Sequence, residues 1–186
     1  MTGTIINIAT ILVGGVDVRP AGTPANAYEI YDILKGIPQE RYASRGYGAT
    51  ANLAVAAALF RDVGGFDAAR LSGGDAEFCR RAVARGARVQ FVGDARVGHP
   101  ARDSWTAIAT KSRRVLGGQI AAGSARRRAA FLVRTLGSPI IPSWRFLRAP
   151  YPLRDRLTAI GVQLRLWGVE LREALHLIAG GKAERR

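Results

Sequence analysis

The most constraining feature of the sequence is a run of short segments between residues 47 and 99, separated by glycines. Gly64 and Gly86 each follow a stretch with helical apolar spacing, and glycine commonly ends a helix because it adopts the left-handed backbone at low cost. Val-rich segments lie on either side. The predicted order is strand 49–55, helix 56–63, helix 75–85 and strand 88–97, which indicates an α/β fold.

The segment before this block is also predicted to contain a strand. Residues 4–18 are rich in Ile and Val, with Gly14 and Gly15 at their centre. This composition predicts one long strand with a bulge, or two short strands around a glycine turn. Turn-forming residues follow, and then a predicted helix over 27–34 that ends before Gly36.

The C-terminal part of the chain is predicted to be helical. One helix starts at the N-cap Ser104 and ends at Gly117-Gly118, and a basic helix covers 119–134. Four prolines make 137–153 a predicted irregular connector. The last helix, 157–178, has an apolar stripe that we expect either to pack on the preceding domain or to lie on a membrane surface. The stripe consists of Leu157, Ile160, Leu164, Trp167, Leu171, Leu175 and Ile178.

Positive charge is concentrated in the C-terminal half. The chain has 28 Lys and Arg residues against 14 Asp and Glu. Residues 1–100 hold 11 bases and 9 acids, a net charge of +2, and residues 101–186 hold 17 bases and 5 acids, a net charge of +12. Such a basic block indicates an anionic partner, either nucleic acid, a membrane surface or a phosphorylated substrate.

Cysteine and histidine usage excludes several classes of site. A single cysteine, Cys79, permits no intrachain disulfide and no Cys-based zinc site, and we expect it to be a buried thiol. The two histidines, His99 and His176, are far apart in the sequence and form no cluster. The N-terminus has no basic residue before Arg19, so it does not fit a signal peptide. We expect a cytoplasmic protein, or one bound peripherally at the inner face of the membrane.

Four ordered motifs lie in the central block. They are Tyr47-Gly48-Ala49-Thr50-Ala51-Asn52, Val63-Gly64-Gly65-Phe66-Asp67, Ser72-Gly73-Gly74-Asp75-Ala76-Glu77-Phe78-Cys79-Arg80-Arg81 and Val97-Gly98-His99. Their order and spacing resemble the C-terminal, acceptor-side half of family 2 glycosyltransferases of the GT-A fold. The resemblance covers about residues 28–118. It implies a partial GT-A domain over 1–118 that lacks the N-terminal nucleotide-binding half, followed by a basic helical extension over 119–186.

Asp75 is the candidate catalytic residue. An inverting sugar transferase needs a carboxylate to accept the proton of the attacking hydroxyl, and a helix start after two glycines places Asp75 where it can reach into a cleft. The resemblance implies that Asp75 is this base. The alternative is that Asp75 only caps its helix, where an acidic side chain is favoured by the N–H groups and the dipole.

The resemblance also implies pocket and diphosphate contacts. Asn52, Gly74 and His99 are expected to line the acceptor or donor pocket, although the family has Glu where this chain has Gly74. Three basic residues are expected to hold the leaving diphosphate of the donor: Lys111, Arg113 and Arg114. For each of them the alternative is a solvated helix face, and for Asn52 and His99 it is an ordinary hydrogen-bonded residue.

The donor-binding part of the family pattern is missing from the sequence. Family 2 enzymes bind Mg²⁺ or Mn²⁺ through an Asp-x-Asp motif, and the nearest candidate here, Asp17-Val18-Arg19, is not one. We therefore expect the 186-residue chain by itself to be marginally stable and inactive, because its predicted strands would leave a sheet edge exposed.

Two functions fit these patterns. The first is a glycosyltransferase, or its acceptor-side part, that uses a nucleotide-sugar donor and a glycan or lipid-linked acceptor of the cell envelope, with its basic extension on an anionic membrane. The second is a non-enzymatic basic protein that binds nucleic acid or an anionic membrane surface. Nucleic acid is the less favoured partner, because aromatic residues are few and no recognition module is present.

Overall fold

A computed structural model of the chain describes residues 10–121 and 125–183. These residues form a mixed α/β structure with one small mixed sheet, which confirms the predicted α/β class. In chain order the elements are β1 (Thr10–Arg19), α1 (Ala27–Lys35), α2 (Gln39–Ala43), β2 (Leu53–Val55), α3 (Ala57–Val63), α4 (Gly74–Ala84), β3 (Arg88–Pro100), α5 (Trp105–Ala121), α6 (Ala125–Leu136), α7 (Ile140–Leu147) and α8 (Leu153–Ile178). Residues 4–9 of the first predicted strand and 122–124 of the basic helix lie outside the described residues.

The chain divides into two compact units that are each discontinuous in sequence. Unit 1 consists of Met1–Asp17, Ile37–Ala68 and Gly74–His99, and unit 2 consists of Val18–Gly36, Ala69–Gly73 and Pro100–Arg186. The division after residue 118 that the sequence indicates remains a prediction.

The sheet has the strand order β2-β1-β3, and β2 is antiparallel to β1. Ile11 and Val13 are fully buried whereas Leu12 between them is exposed, as expected for a strand with one face on a core. β1 continues as a single strand through Gly14, which excludes the alternative of two strands around a turn. A Cβ atom at Gly14 would collide with Asn52 Nδ2 and with the carbonyl oxygen of Ala95, so glycine serves close packing at this position.

Unit 1 has a compact apolar core beneath this sheet. Three phenylalanine rings pack against one another, with centroids 5.2 Å apart for Phe60 and Phe66, 5.2 Å for Phe60 and Phe78, and 5.3 Å for Phe66 and Phe78. Cys79 is fully buried, as predicted, and burial raises the pKa of its thiol. The buried residues of this core are Ile11, Val13, Leu59, Val63, Phe78, Cys79, Ala82 and Ala87.

Unit 2 is built around α8, which packs against α1, α5, α6 and α7. The Tyr31 ring meets the Phe146 ring edge to face at 5.8 Å, and its hydroxyl donates a hydrogen bond to Gln163 Oε1 at 3.0 Å. The polar end of this buried tyrosine is therefore satisfied. The buried residues of this core are Tyr31, Ile108, Phe146, Ala159, Val162 and Leu166.

The apolar stripe that the sequence indicates on α8 is only partly covered in unit 2: Ile160 packs on the core, and the membrane alternative for the exposed members remains a prediction. Four members of that stripe, Leu157, Leu164, Leu175 and Ile178, are at least half exposed. The buried residues of the helix are instead Ala159, Val162, Gln163, Leu166 and Ala174. The helix has two apolar faces, and the face with smaller side chains is the one that packs in unit 2. The spacing of apolar residues in the sequence indicates that a helix has an apolar stripe, but it does not show which stripe packs against other helices.

Two predictions from proline and glycine are wrong. The connector over 137–153 contains α7, which begins just after Pro139 and includes Pro142 in its first turn, where the missing N–H has no helical partner to lose. Gly117-Gly118 does not end α5, which continues to Ala121. A Cβ at Gly118 would collide with Ser72 Oγ, so this glycine permits close packing within unit 2.

Candidate functional site

Asp75 lies in the first turn of α4 in unit 1 and is partly buried. Its Oδ1 accepts a hydrogen bond from the backbone N–H of Ala76 at 2.8 Å, and its Oδ2 accepts one from the N–H of Thr50 at 3.3 Å. Asp75 therefore stabilises the start of its helix, and the contact to Thr50 brings it next to the Asn52 segment. Each carboxylate oxygen keeps a second lone pair, so the group remains able to accept a proton.

The backbone next to Asp75 is held by a buried glutamine that sequence analysis did not identify. The side-chain amide of Gln39 donates to the carbonyl oxygens of Ala49 (3.0 Å) and Asn52 (3.1 Å), and its Oε1 accepts from the N–H of Ala49 (2.8 Å). This segment forms a 3₁₀ turn over Thr50–Asn52 before β2 begins, so the predicted strand 49–55 is shorter than expected. Only the place of Gln39 after Pro38, at a helix start, could have hinted at this role.

Asn52 bridges the two strands on either side of it. Its Nδ2 donates to the carbonyl oxygens of Gly15 at 2.9 Å and Ala95 at 2.7 Å, which uses both amide hydrogens. Only Oδ1 is left for a ligand. The contacts therefore match the alternative of a hydrogen-bonded structural residue, and a pocket role for Asn52 remains a prediction.

Arg81 fixes the glycine turn that follows α3. Its guanidinium donates to the carbonyl oxygens of Val63 and Gly65, the latter at 2.6 Å, and pairs with Glu77 at 2.7 Å and 2.9 Å. The hydrogen bond to Glu77 raises the pKa of Arg81. Gly64 and Gly65 both have positive φ, which glycine adopts at low cost. The i, i+4 spacing of Glu77 and Arg81 was the available sequence signal for this ion pair.

The remaining pocket candidates of unit 1 are Gly74 and His99. A Cβ built at Gly74 meets no atom within 4 Å, so close packing does not require a glycine at this position. His99 is partly buried near the end of β3. The structure thus brings together Asp75, Gly74 and the Asn52 segment, and it places His99 in the same unit.

The three basic candidates lie on α5 in unit 2. Lys111 is largely buried, and burial lowers its pKa to about 8, aided by the positive charges of Arg102, Lys35 and Arg114 and opposed by Asp32. Asp32 is itself paired with Arg102 at 3.0 Å. One carboxylate thus faces four cationic side chains, an electrostatic environment that favours an added anion.

The guanidinium groups of Arg114 and Arg113 differ in their hydrogen bonding. Among the described residues, the Nε of Arg114 is buried and has no hydrogen-bond partner. Arg113 donates from Nη2 to Thr110 Oγ1 at 3.2 Å. An unsatisfied buried donor is costly, so Arg114 Nε and the Lys111 amine are the groups of this cluster with most to gain from a bound anion.

A metal site and a membrane span were both searched for in the described part of the chain. Residues 10–121 and 125–183 contain no group of three or more His, Cys, Asp or Glu side chains that could hold a metal ion. Within the same residues, no helix is long and apolar enough to cross a bilayer.

Comparison with known proteins found no relative. No protein-family model, no curated protein and no solved structure matches the chain.

Proposed function

We propose that this chain is the acceptor-side part of an inverting glycosyltransferase of GT-A type, which uses a nucleotide-sugar donor and a lipid-linked or cell-envelope acceptor. The observation that carries the proposal is the position of Asp75 at the start of α4, hydrogen-bonded to Thr50 beside Asn52. All four motifs of the resemblance belong to unit 1, apart from Ser72 and Gly73.

The proposed chemistry is a single displacement at the anomeric carbon. The acceptor hydroxyl attacks this carbon, a new C–O bond forms, and the bond from the carbon to the donor phosphate breaks on the opposite side, which inverts the configuration. The hydroxyl proton passes to a carboxylate oxygen of Asp75, and the electron pair of the broken bond leaves on the nucleoside diphosphate. A positioned general base contributes roughly 10²–10⁴-fold to such a rate.

Within unit 2, the cations of α5 are proposed to bind a diphosphate group. Support comes from the buried Nε of Arg114 and from the depressed pKa of Lys111, both of which favour an added negative charge. A bound diphosphate would raise the pKa of Lys111 again, because an opposite charge stabilises its ammonium form.

The transferase is proposed to work at the inner face of an anionic membrane. Support comes from the sequence between residues 104 and 154, which has ten basic residues and no acidic one. The same observation supports the second candidate function, a non-enzymatic basic protein that binds nucleic acid. The two differ in salt dependence and partner: steeply salt-dependent binding to duplex DNA without any donor turnover would favour the second candidate.

The transferase proposal is tested on the native protein, expressed from its own gene. Native protein, an Asp75→Asn variant and an Asp94→Asn control are incubated with a panel of nucleotide sugars and a cell-envelope lipid extract as acceptor, and released nucleoside diphosphate is measured. Asp94 is an exposed carboxylate of the same unit and a matched control. We expect release to fall at least a hundredfold in Asp75→Asn and to be unchanged in Asp94→Asn.

Two results would contradict the proposal. Equal release by the native and Asp75→Asn proteins would exclude Asp75 as the base. Absence of release from every donor by the native protein would exclude the transferase function itself. A thermal unfolding curve of each variant separates loss of chemistry from loss of folding.

A further inference from the structure

The exposed face of α7 is apolar, the reverse of an ordinary surface helix. Ile140 is 70% exposed, Ile141 is 69% exposed and Trp144 is 55% exposed, and Leu147 continues the same face. Phe146 lies on the opposite side of the helix and is buried in the core of unit 2. Helix α7 therefore uses one large apolar residue for packing and leaves four in solvent.

The elements on either side of α7 continue this pattern. Val133 and Leu136 are exposed in the last turn of α6, and Leu153 and Leu157 are exposed in the first turns of α8. Monomeric proteins rarely expose so many large apolar side chains within 25 residues, and such surfaces mark sites of interaction. We call the exposed residues of α7, namely Ile140, Ile141, Trp144 and Leu147, the α7 face.

The charge around the α7 face limits what can cover it. The segment between residues 104 and 154 has no acidic residue, and its ten basic ones are Lys111, Arg113, Arg114, Arg126, Arg127, Arg128, Arg134, Arg145, Arg148 and Arg154. Two of these, Arg145 and Arg148, are exposed on α7 itself. A second copy of the chain would bring the same positive charge to the interface, which is repulsive. The occupant is therefore expected to be negatively charged as well as apolar.

We propose that the α7 face inserts into the headgroup region of an anionic lipid bilayer. A bilayer with acidic headgroups offers both properties in one surface: acyl chains for Ile140, Ile141 and Leu147, and negative charge for the arginines. The Arg148 guanidinium lies 4.2 Å from the centre of the Trp144 ring, and a tryptophan with a nearby arginine suits the boundary between acyl chains and headgroups. The proposed contact is interfacial, and none of the described helices is both long and apolar enough to cross a bilayer.

This inference rests on the peripheral membrane placement proposed above and not on the transferase chemistry. It names the element that makes the contact and the lipid class that it selects. Its failure would leave the Asp75 experiment unaffected, because turnover and vesicle binding are measured on separate samples.

The first experiment is flotation of the full chain with phospholipid vesicles. Vesicles of phosphatidylcholine with about 30% phosphatidylglycerol are compared with vesicles of phosphatidylcholine alone. We expect binding to the anionic vesicles, about tenfold or more weaker binding to the neutral ones, and a similar loss in an Ile140→Ser, Ile141→Ser double variant. The matched control is Val83→Ser, Val97→Ser, which removes two exposed apolar side chains from unit 1 and should bind as the wild type does.

A second measurement keeps the proposal testable if the Ile variant does not fold. Vesicles with brominated acyl chains quench only tryptophans that reach the hydrocarbon boundary. We expect quenching in the wild-type chain, and we expect Trp144→Phe to abolish it, because Trp105 and Trp167 are partly buried.

Four outcomes would overturn the proposal. These are no binding to anionic vesicles, equal binding to neutral vesicles, undiminished binding by the Ile140→Ser, Ile141→Ser variant, and self-association without lipid that the same variant abolishes. The last would identify a second copy as the occupant, and binding only to duplex DNA would identify nucleic acid.

Discussion

The two units of the chain distribute charge and apolar surface in opposite ways. Unit 1 has eight basic and seven acidic residues, a net charge of +1, whereas unit 2 has twenty basic and seven acidic residues, a net charge of +13. Of the seventeen large apolar residues that are exposed in the described chain, four belong to unit 1 and thirteen to unit 2. Unit 1 therefore has a nearly neutral surface with few exposed large apolar side chains, whereas the surface of unit 2 is both basic and rich in them.

The polar side chains of the two units also have different tasks. In unit 1, Gln39, Asn52 and Arg81 all hydrogen-bond to backbone carbonyl groups and so fix turns and strands. In unit 2, side chains also hydrogen-bond to one another across helices: Ser112 and Ser138 both donate to Glu170, at 2.7 Å and 2.8 Å.

The units carry separate natural probes, which makes the comparison measurable. All three tryptophans lie in unit 2, and the single cysteine is buried in unit 1. Tryptophan emission therefore reports on unit 2, and the rate of thiol labelling of Cys79 reports on the opening of unit 1.

The largest effect is expected for Gly14→Ala. The new Cβ collides with Asn52 Nδ2 and with the backbone oxygen of Ala95, neither of which can move without disturbing the sheet, and we expect unit 1 to lose about 3 kcal/mol. Cys79 labelling should then accelerate about a hundredfold at unchanged tryptophan emission. Gly15→Ala is the matched control, because its Cβ meets only the flexible side chain of Arg96. Equal effects of the two substitutions would contradict the close-packing role of Gly14.

A smaller change in the free energy of unfolding, confined to unit 2, is expected for Lys111→Met. Because the pKa of Lys111 is lowered to about 8 in the folded chain, the unfolded chain binds more protons between pH 8 and its ordinary value near 10.4. Stability of the wild type should therefore rise from pH 8 to pH 9.5. The variant should lack this rise and should be more stable at pH 7 by on the order of 1–3 kcal/mol.

The Lys111 prediction is measured by denaturant unfolding followed by tryptophan emission. Lys182→Met is its control, because Lys182 is an exposed lysine of the same unit. If the pH dependence of stability persists in Lys111→Met, another group is responsible for it.

Arg81→Lys tests the anchoring of the glycine turn in unit 1. A lysine cannot reproduce the paired contact to Glu77 together with the contacts to Val63 and Gly65, so we expect a loss of about 1–2 kcal/mol. Cys79 labelling should accelerate roughly tenfold. Arg80→Lys changes the exposed neighbour in the same way and should have no effect. A rate in Arg81→Lys equal to that of Arg80→Lys would show that the turn holds without this anchor.

The smallest effect is a gain of stability in unit 2. A Cβ at Gly161, in the middle of α8, meets nothing within 4 Å, so Gly161→Ala should stabilise the helix by about 0.5–1 kcal/mol. Gly180→Ala should have the opposite sign, since Gly180 has φ of 86° beyond the end of α8. Thermal unfolding followed by tryptophan emission measures both. A destabilised Gly161→Ala protein would indicate that the exposed face of α8 is covered.

Much of the secondary structure of unit 1 could be predicted from the sequence, because glycines at helix ends and valines in strands act through their immediate neighbours in the chain. The helix that ends at Gly64 and the helix that starts at Gly74 follow the predicted positions closely. The helix boundaries of unit 2 are harder to predict, because proline and glycine occur both inside helices and at their ends. Pro142 predicts a break, yet a proline in the first turn of a helix is tolerated; Gly118 predicts a helix end, yet its missing side chain instead leaves room for Ser72.

The candidate site could be predicted only in part. The resemblance and the helix start after two glycines made Asp75 a candidate, but nothing in the sequence showed that Gln39 holds the adjacent turn or that Asn52 uses its amide on two strands. Both depend on contacts between residues that are distant along the chain. The buried face of α8 is unpredictable for the same reason, since it depends on which helices it meets.

The interleaved sequence of the two units has a consequence for synthesis on the ribosome. The hydroxyl of Tyr31 bonds to Gln163, 132 residues later, so α1 cannot complete its packing until nearly the whole chain has emerged. Asn52 likewise needs Ala95 before β3 can be held beside β1. Such long loops close slowly, and the nascent chain therefore leaves α1 without its packing partner for most of its translation. Chaperone dependence should accordingly be greatest for nascent chains that end before α8.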